Sequence, residues 1–177
     1  MKQFIPVAKE GIEIGVGSGR FASQLGIKKG IEPAPDMAQL ARSRGIEVDE
    51  RIAENLPYAG EQFNLVLMVT IDCFLNNIEK AYSEASRVLK SGGQIVVGFL
   101  DKNGEAARKY KSKKVKSSVY KQAHFHSPEE MVSMLMKAGF GRFEFCQTLL
   151  VPDPEKVETP VPGYGKGSFV VVSGIKS

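Results

Sequence analysis

Apolar positions along this chain change period several times. Short unbroken apolar runs, the pattern of strands buried on both faces, alternate with stretches in which apolar side chains return every three or four residues. That alternation predicts an α/β chain whose helices cover a mostly parallel sheet. Residues 11–16 form the first strand, broken by glycines, and a short helix follows over residues 20–25. Residues 30–33 predict a brief second strand. Residues 35–44 carry Met37, Leu40 and Ala41 at helical spacing with Gly45 as a stop, which predicts a helix. Residues 47–53 suit an edge strand, and FNLVLMVT at 63–70 suits a central one.

Further along, Ile78, Ala81, Tyr82, Ala85, Val88 and Leu89 make the apolar stripe of a helix over residues 78–90, with Gly92 and Gly93 ending it and QIVVGFL (94–100) as the next strand. Ser127, Pro128 and Glu130 stand at the N-cap, first and third helical positions of another helix, which stops near Gly139. Residues 143–151 and 168–175 are β-rich and predicted to pair antiparallel. The proline-rich stretch 152–163 between them reads as an exposed connection.

Composition narrows the class without deciding it. The 177 residues suit one domain, and 42% hydrophobic with 25% charged content is that of an ordinary globular protein. No apolar run approaches the roughly 18 residues of a membrane span, and the first ten residues lack a signal sequence, so a cytoplasmic location is expected. Cys73 and Cys146 lack metal-ligand spacing and read as reduced, packed thiols; no metal is expected. The net charge of +4 is concentrated in seven Lys or Arg residues between Arg108 and Lys121, a segment suited to an anion or to a solvated helix face.

The first strand ends in GIEIGVGSG (11–19). Gly15, Gly17 and Gly19 expose backbone N–H groups and allow a ligand close to the chain. A dinucleotide fingerprint needs a third glycine where this chain has Arg20, and a Walker A loop needs a lysine that residues 15–25 lack. Nineteen positions after Glu13, Glu32 ends the second strand, where a carboxylate can accept hydrogen bonds from both hydroxyls of a ribose.

EIGVGSG (13–19), IEP (31–33), AENLP (53–57), FNLVLM (63–68) and EASRVLKSGG (84–93) resemble, in order and near spacing, the successive motifs of class I S-adenosylmethionine-dependent methyltransferases. The resemblance covers residues 11–100 well, and the KAGF segment (137–140) is consistent with it. It implies a Rossmann-like, doubly wound, mostly parallel seven-stranded sheet with an antiparallel C-terminal strand in a three-layer α/β/α sandwich. It implies S-adenosyl-L-methionine as cofactor and S-adenosyl-L-homocysteine as product. The cofactor's methionine part would lie along Gly15, Gly17 and Gly19, with Glu13 supporting that loop or the amino group and Glu32 taking the ribose. Pro33 and Met37 match apolar positions beside adenosine, Ala53 and Glu54 the segment beside adenine, and Val69 and Thr70 the segment that approaches the amino group. Ile52 departs from the family pattern, which often has Asp there, leaving Glu54 as the substitute acceptor. Arg20, next to the loop, is a candidate partner for the methionine carboxylate.

The acceptor side is less defined. The sulfonium already activates the methyl group, so a dedicated base is optional. VTIDCFLNN (69–77) lacks the Asn/Asp-Pro-Pro-Tyr/Phe motif of DNA amino-methylases. Residues 101–127 match the part of the family that covers the acceptor, and contain Tyr110, Tyr120, His124 and His126. Tyr120 and His124 are the substrate-site candidates there, while His126 reads as a staple before the N-cap. Asp72 and Cys73 follow the fourth strand on the cofactor side; either they face the acceptor or they are a turn aspartate and a packed thiol. A small-molecule acceptor is expected, with no membrane partner, and a homo-oligomer is compatible with this reading. The alternatives are a cofactor-binding module or partner subunit without turnover and, lower, an RNA methyltransferase, since the basic segment lacks interleaved aromatics. That segment also argues against aminopropyl transfer. Only ten residues precede the first strand, where relatives carry helices over the cofactor, so the expectation is an open site or one covered by a partner subunit or further residues.

Overall fold

The computed structural model describes residues 1–5, 10–111, 123–150 and 158–177. Its strands are β1 (Gly11–Ile14), β2 (Lys29–Ile31), β3 (Glu47–Asp49), β4 (Phe63–Val69), β5 (Leu89–Leu100), β6 (Phe140–Thr148), β7 (Val161–Pro162) and β8 (Phe169–Lys176). Its helices are α1 (Arg20–Leu25), α2 (Pro35–Ser43), α3 (Ile78–Val88), α4 (Glu105–Lys111) and α5 (Pro128–Lys137). Among the described residues the strands form one sheet in the order β3-β2-β1-β4-β5-β8-β6-β7. β1 to β5 pair in parallel, and β8 runs antiparallel between β5 and β6. The seven expected strands are present; the eighth, β7, adds two residues to the outer edge of β6, inside the stretch read from sequence as a plain connection. Residues 151–157 of that stretch lie outside the described residues.

The near-continuous apolar run of β4 follows from its place at the sheet's centre. Side chains alternate across a strand, and here both faces are covered. Val66 and Met68 join a core with Ala81, Tyr82, Ala85 and Val88 of α3 and Met131 and Leu135 of α5. Leu65, Leu67 and Val69 point the other way, to Ala22 of α1 and Ala38 and Ala41 of α2. The result is the three-layer α/β/α sandwich. Among the described residues no helix is long and apolar enough to cross a membrane.

Several element boundaries differ from the sequence reading, among them β6, which runs from Phe140 to Thr148 rather than over 143–151. α3 stops at Val88 because Leu89 turns extended, buries its side chain and pairs with Phe63, so Gly92 and Gly93 fall within an irregular stretch of β5. β3 ends at Asp49, since the following residues leave the sheet to form a loop. β2 ends at Ile31, which leaves Glu32 just beyond the strand. The expected start of α5 holds in full: the Ser127 side chain accepts from the Glu130 N–H, and the Glu130 carboxylate accepts from the Ser127 N–H.

Candidate functional site

The strand order reverses between β1 and β4, so their carboxyl ends leave a crevice, the usual ligand position in an open α/β sheet. Gly15 and Val16 donate to the Ile31 carbonyl at 2.8 and 2.9 Å, which ties the loop after β1 to the end of β2. The Glu32 carboxylate then accepts from Gly17 N–H at 2.9 Å and from Ala34 N–H at 3.0 Å. Arg44 donates to the Ser18 carbonyl at 2.6 Å and secures the loop from α2's end. A cavity of about 250 Å³ opens beside these groups, lined by Gly15, Glu32, Pro33, Ala53 and Glu54 on one side and Ile71, Phe74 and Leu75 on the other. Two larger cavities lie elsewhere. One of about 430 Å³ sits at the amino ends of β1 and β4, around Gly11 and Phe63, and one of about 380 Å³ lies beyond β5, around Asp101 and Ser168. The former is on the wrong edge of the sheet for this ligand geometry.

Two glycines are dictated by the loop's shape. Gly15 has φ +71°, and a Cβ on it would lie 2.4 Å from Ile71 Cγ2. Gly17 has φ +52°, and its Cβ would project into space bounded by Met37 Cε at 3.7 Å, a face left free for a ligand. We expect Gly15→Ala to destabilise the protein by about 1–2 kcal/mol from the left-handed backbone alone, with a further cost for displacing Ile71. Urea denaturation measures this, and a wild-type midpoint would contradict the packing.

Glu13 is 1% exposed, and its Oε2 has no hydrogen-bond partner among the described residues. Burial pushes its carboxyl up to about 8, against a single opposing bond from the Ala22 backbone. Such an acid is poised to ionise opposite a ligand cation. Thr70, just past β4, is β-branched yet has φ +55°, a strain of roughly 1–3 kcal/mol held by its N–H bond to the Gly98 carbonyl at 2.7 Å.

Other residues take more specific positions than the sequence conveyed. One Glu54 oxygen accepts from the backbones of both Asn76 and Asn77 at 3.1 Å, so it clamps the start of α3 as well as lining the cavity. Val69 points into the core under α1 and α2, leaving only its backbone near the cleft. Arg20 is exposed at the start of α1, and Met37 is exposed beside Gly17. Of the acceptor-side candidates, His124 is exposed and Tyr120 lies outside the described residues. Asp72 is 3% exposed, and His126 Nδ1 stands 3.3 Å from its Oδ2. Cys73 is buried, its thiol pushed up to about 12 by that burial and by Asp72's charge, as a packed thiol rather than a nucleophile.

Two positioning residues that the sequence reading does not single out lie within one of its motifs. Glu84 accepts from Leu56 N–H at 2.9 Å, and Arg87 donates to the Tyr58 carbonyl at 2.7 Å while pairing with Glu84 at 2.6 Å. The EASRVL motif thus holds the AENLP loop beside the cleft. Its charged residues spaced i and i+3 are the visible signal.

A glycine-floored, carboxylate-bearing cleft at the reversal point of a doubly wound sheet defines a Rossmann-like nucleoside-binding protein. Comparison with known proteins agrees. The family model described as a methyltransferase domain matches residues 12–97. The chain is 40% identical over 178 residues to an uncharacterized protein of Methanocaldococcus jannaschii, covering 99% of this chain and 86% of that one. It is 34% identical over 134 residues to an uncharacterized protein of Mycobacterium tuberculosis, spanning 75% of this chain and 47% of that longer one. The crystal structure of an S-adenosylmethionine-dependent methyltransferase from Thermotoga maritima, described as a possible histamine N-methyltransferase, superposes with a TM-score of 0.95 at 45% identity, over 99% of this chain and 86% of that one. The chain belongs to the S-adenosylmethionine-dependent methyltransferase family. It is a methyltransferase, and S-adenosyl-L-methionine is its cofactor.

Proposed function

We propose that this protein methylates a small molecule, with the cofactor held in the cleft between the glycine loop and the turn after β4. The observation that carries this reading is the conjunction at the end of β1: an unpartnered, buried Glu13 Oε2, an open Gly17 face and the Glu32 carboxylate at the rim. These suit a ligand with an ammonium group and a ribose. Gly15, Gly17 and Gly19 would support the methionine part, Glu13 and the Val69–Thr70 backbone its ammonium, and Arg20 its carboxylate. Glu32 would take the ribose, with Pro33, Met37, Ala53 and Glu54 beside the adenosine. The cofactor supplies a methyl group already activated on sulfur, so this chain's task is to position an acceptor in line and exclude water. Ile71, Phe74 and Leu75 supply an apolar wall for that purpose.

A small acceptor is favoured over RNA because the basic segment lacks the interleaved aromatics of a stacking surface. The relationship to the Thermotoga maritima protein makes amines, histamine included, the first class to try. The test is a labelled-methyl screen on amines, phenols and a metabolite extract, run beside an RNA pool. We expect label in a small molecule; label in RNA alone would sink this reading.

A further inference from the structure

The turn after β4 and the segment before α5 bring together two residues that the cofactor site does not use. Asp72 follows Ile71 and precedes Phe74, both of which line the cofactor cleft, yet its own carboxyl turns inward. There Oδ1 has no partner among the described residues, and Oδ2 meets His126 Nδ1 at 3.3 Å. A buried carboxylate with one side-chain partner is costly, and fold stability alone does not call for it. The backbone already holds this region: His124 N–H donates to the Cys73 carbonyl at 2.9 Å, Lys102 N–H to the His126 carbonyl at 3.0 Å, and the Ser127 capping box starts α5. The Asp–His contact adds an orientation of the imidazole that these bonds do not.

We propose that His126 receives the proton released by the methyl acceptor, and that Asp72 is the positioning residue that keeps its Nε2 lone pair available. Burial raises the Asp72 carboxyl while the His126 contact lowers it; in the ionised form which that contact favours, neutral His126 carries its proton on Nδ1, against the carboxylate. Nε2 then has no hydrogen-bond partner among the described residues, and the side chain is 19% exposed. The step balances. The acceptor's nucleophilic atom bonds to the methyl carbon as the carbon–sulfur bond breaks, and that electron pair returns to sulfur. The proton on the nucleophile passes to Nε2, and the resulting imidazolium sits against the Asp72 carboxylate. The acceptor is therefore one whose nucleophile has both a lone pair and a proton, such as an alcohol, a phenol or a neutral primary or secondary amine. Glu130, whose carboxylate also lies near His126, is engaged by Lys102 and by the Ser127 N–H.

This inference rests on the small-molecule reading, and its test separates the two. The chain has only two histidines, so His124→Gln leaves His126 alone for nitrogen-15 NMR of the full-length protein. We expect the Nδ1–H tautomer in that background and a shift toward Nε2–H when Asp72→Asn is added. With labelled cofactor and a panel of amines and phenols, histamine among them, His126→Gln and Asp72→Asn should each lower kcat roughly a hundredfold. KM and the affinity for S-adenosylhomocysteine should stay within about twofold of wild type, the signature of a group used in the transition state. An unchanged tautomer in Asp72→Asn, wild-type turnover in His126→Gln, or a wild-type protein that binds S-adenosylhomocysteine yet methylates no member of the panel overturns the proposal. Failure of the wild type to bind S-adenosylhomocysteine overturns the cofactor placement instead.

Discussion

Glu13→Gln should melt at a higher temperature than wild type at pH 9 and at nearly the same temperature at pH 5. The Glu13 carboxyl, lifted from an ordinary 4.5 to about 8 by burial, holds a proton in the fold that the unfolded chain has already released. Its contribution to stability is complete below pH 4.5 and is lost as pH rises to about 8. Above that the ionised group costs the fold up to about 5 kcal/mol, at about 1.4 kcal/mol for each tenfold change in proton affinity. Glutamine keeps an oxygen for the Ala22 N–H and is uncharged like the protonated acid, so the two proteins lie close at low pH, with two amide donors on the unpartnered side where the acid has one. The same acid governs ligand linkage. A cofactor ammonium set against Glu13 favours the carboxylate, so binding at pH 7 should release a proton and affinity should climb until about pH 8. Calorimetry in two buffers of different ionisation enthalpy reads that proton. Equal proton release by wild type and Glu13→Gln would remove Glu13 from the site.

The second large effect is expected at Glu32. Its two oxygens hold the N–H groups of Gly17 and Ala34, and each retains capacity to accept from a ribose hydroxyl. Hydrogen bonds to a charged group contribute about 1.5–3 kcal/mol each, so losing the pair made to ribose should weaken S-adenosylhomocysteine roughly 100-fold or more. Glu32→Ala tests this by calorimetry. Glu32→Gln should also bind poorly, because its amide turns a donor toward one of two backbone donors. Affinity equal to wild type in Glu32→Ala would end the ribose assignment.

Much of this architecture was legible in the residues. The unbroken run FNLVLMVT signalled a strand covered on both faces, and the stripe from Ala81 to Val88 signalled the helix on one of them. Ser127-Pro128-Glu129-Glu130 specified a helix start through bonds reaching only three residues along the chain. The glycine loop and Glu32 stood out as a candidate site because close backbone approach and a strand-end carboxylate leave local traces. Boundaries were less legible where pairing partners compete. Leu89 leaves α3 because Phe63, 26 positions earlier, offers it a strand partner, which overrides the helical stripe it completes.

The sequence by itself determined the order of strands and helices, the glycine loop and the resemblance to the methyltransferase family, all of which depend on neighbours along the chain. Only the tertiary structure decided what the polar side chains face. Glu13 is an orphaned acid because β2 and β4 flank its strand and α1 covers it. Glu54 is drawn to the start of α3, Val69 into the core, and Asp72 to His126, 54 positions away. Burial and long-range pairing set these roles, and neither quantity is written in the local pattern of residues. The loop that looked most informative in sequence thus carries the proposed cofactor site, while the proposed acceptor side depends on a contact that appears only once β4 and α5 are brought together.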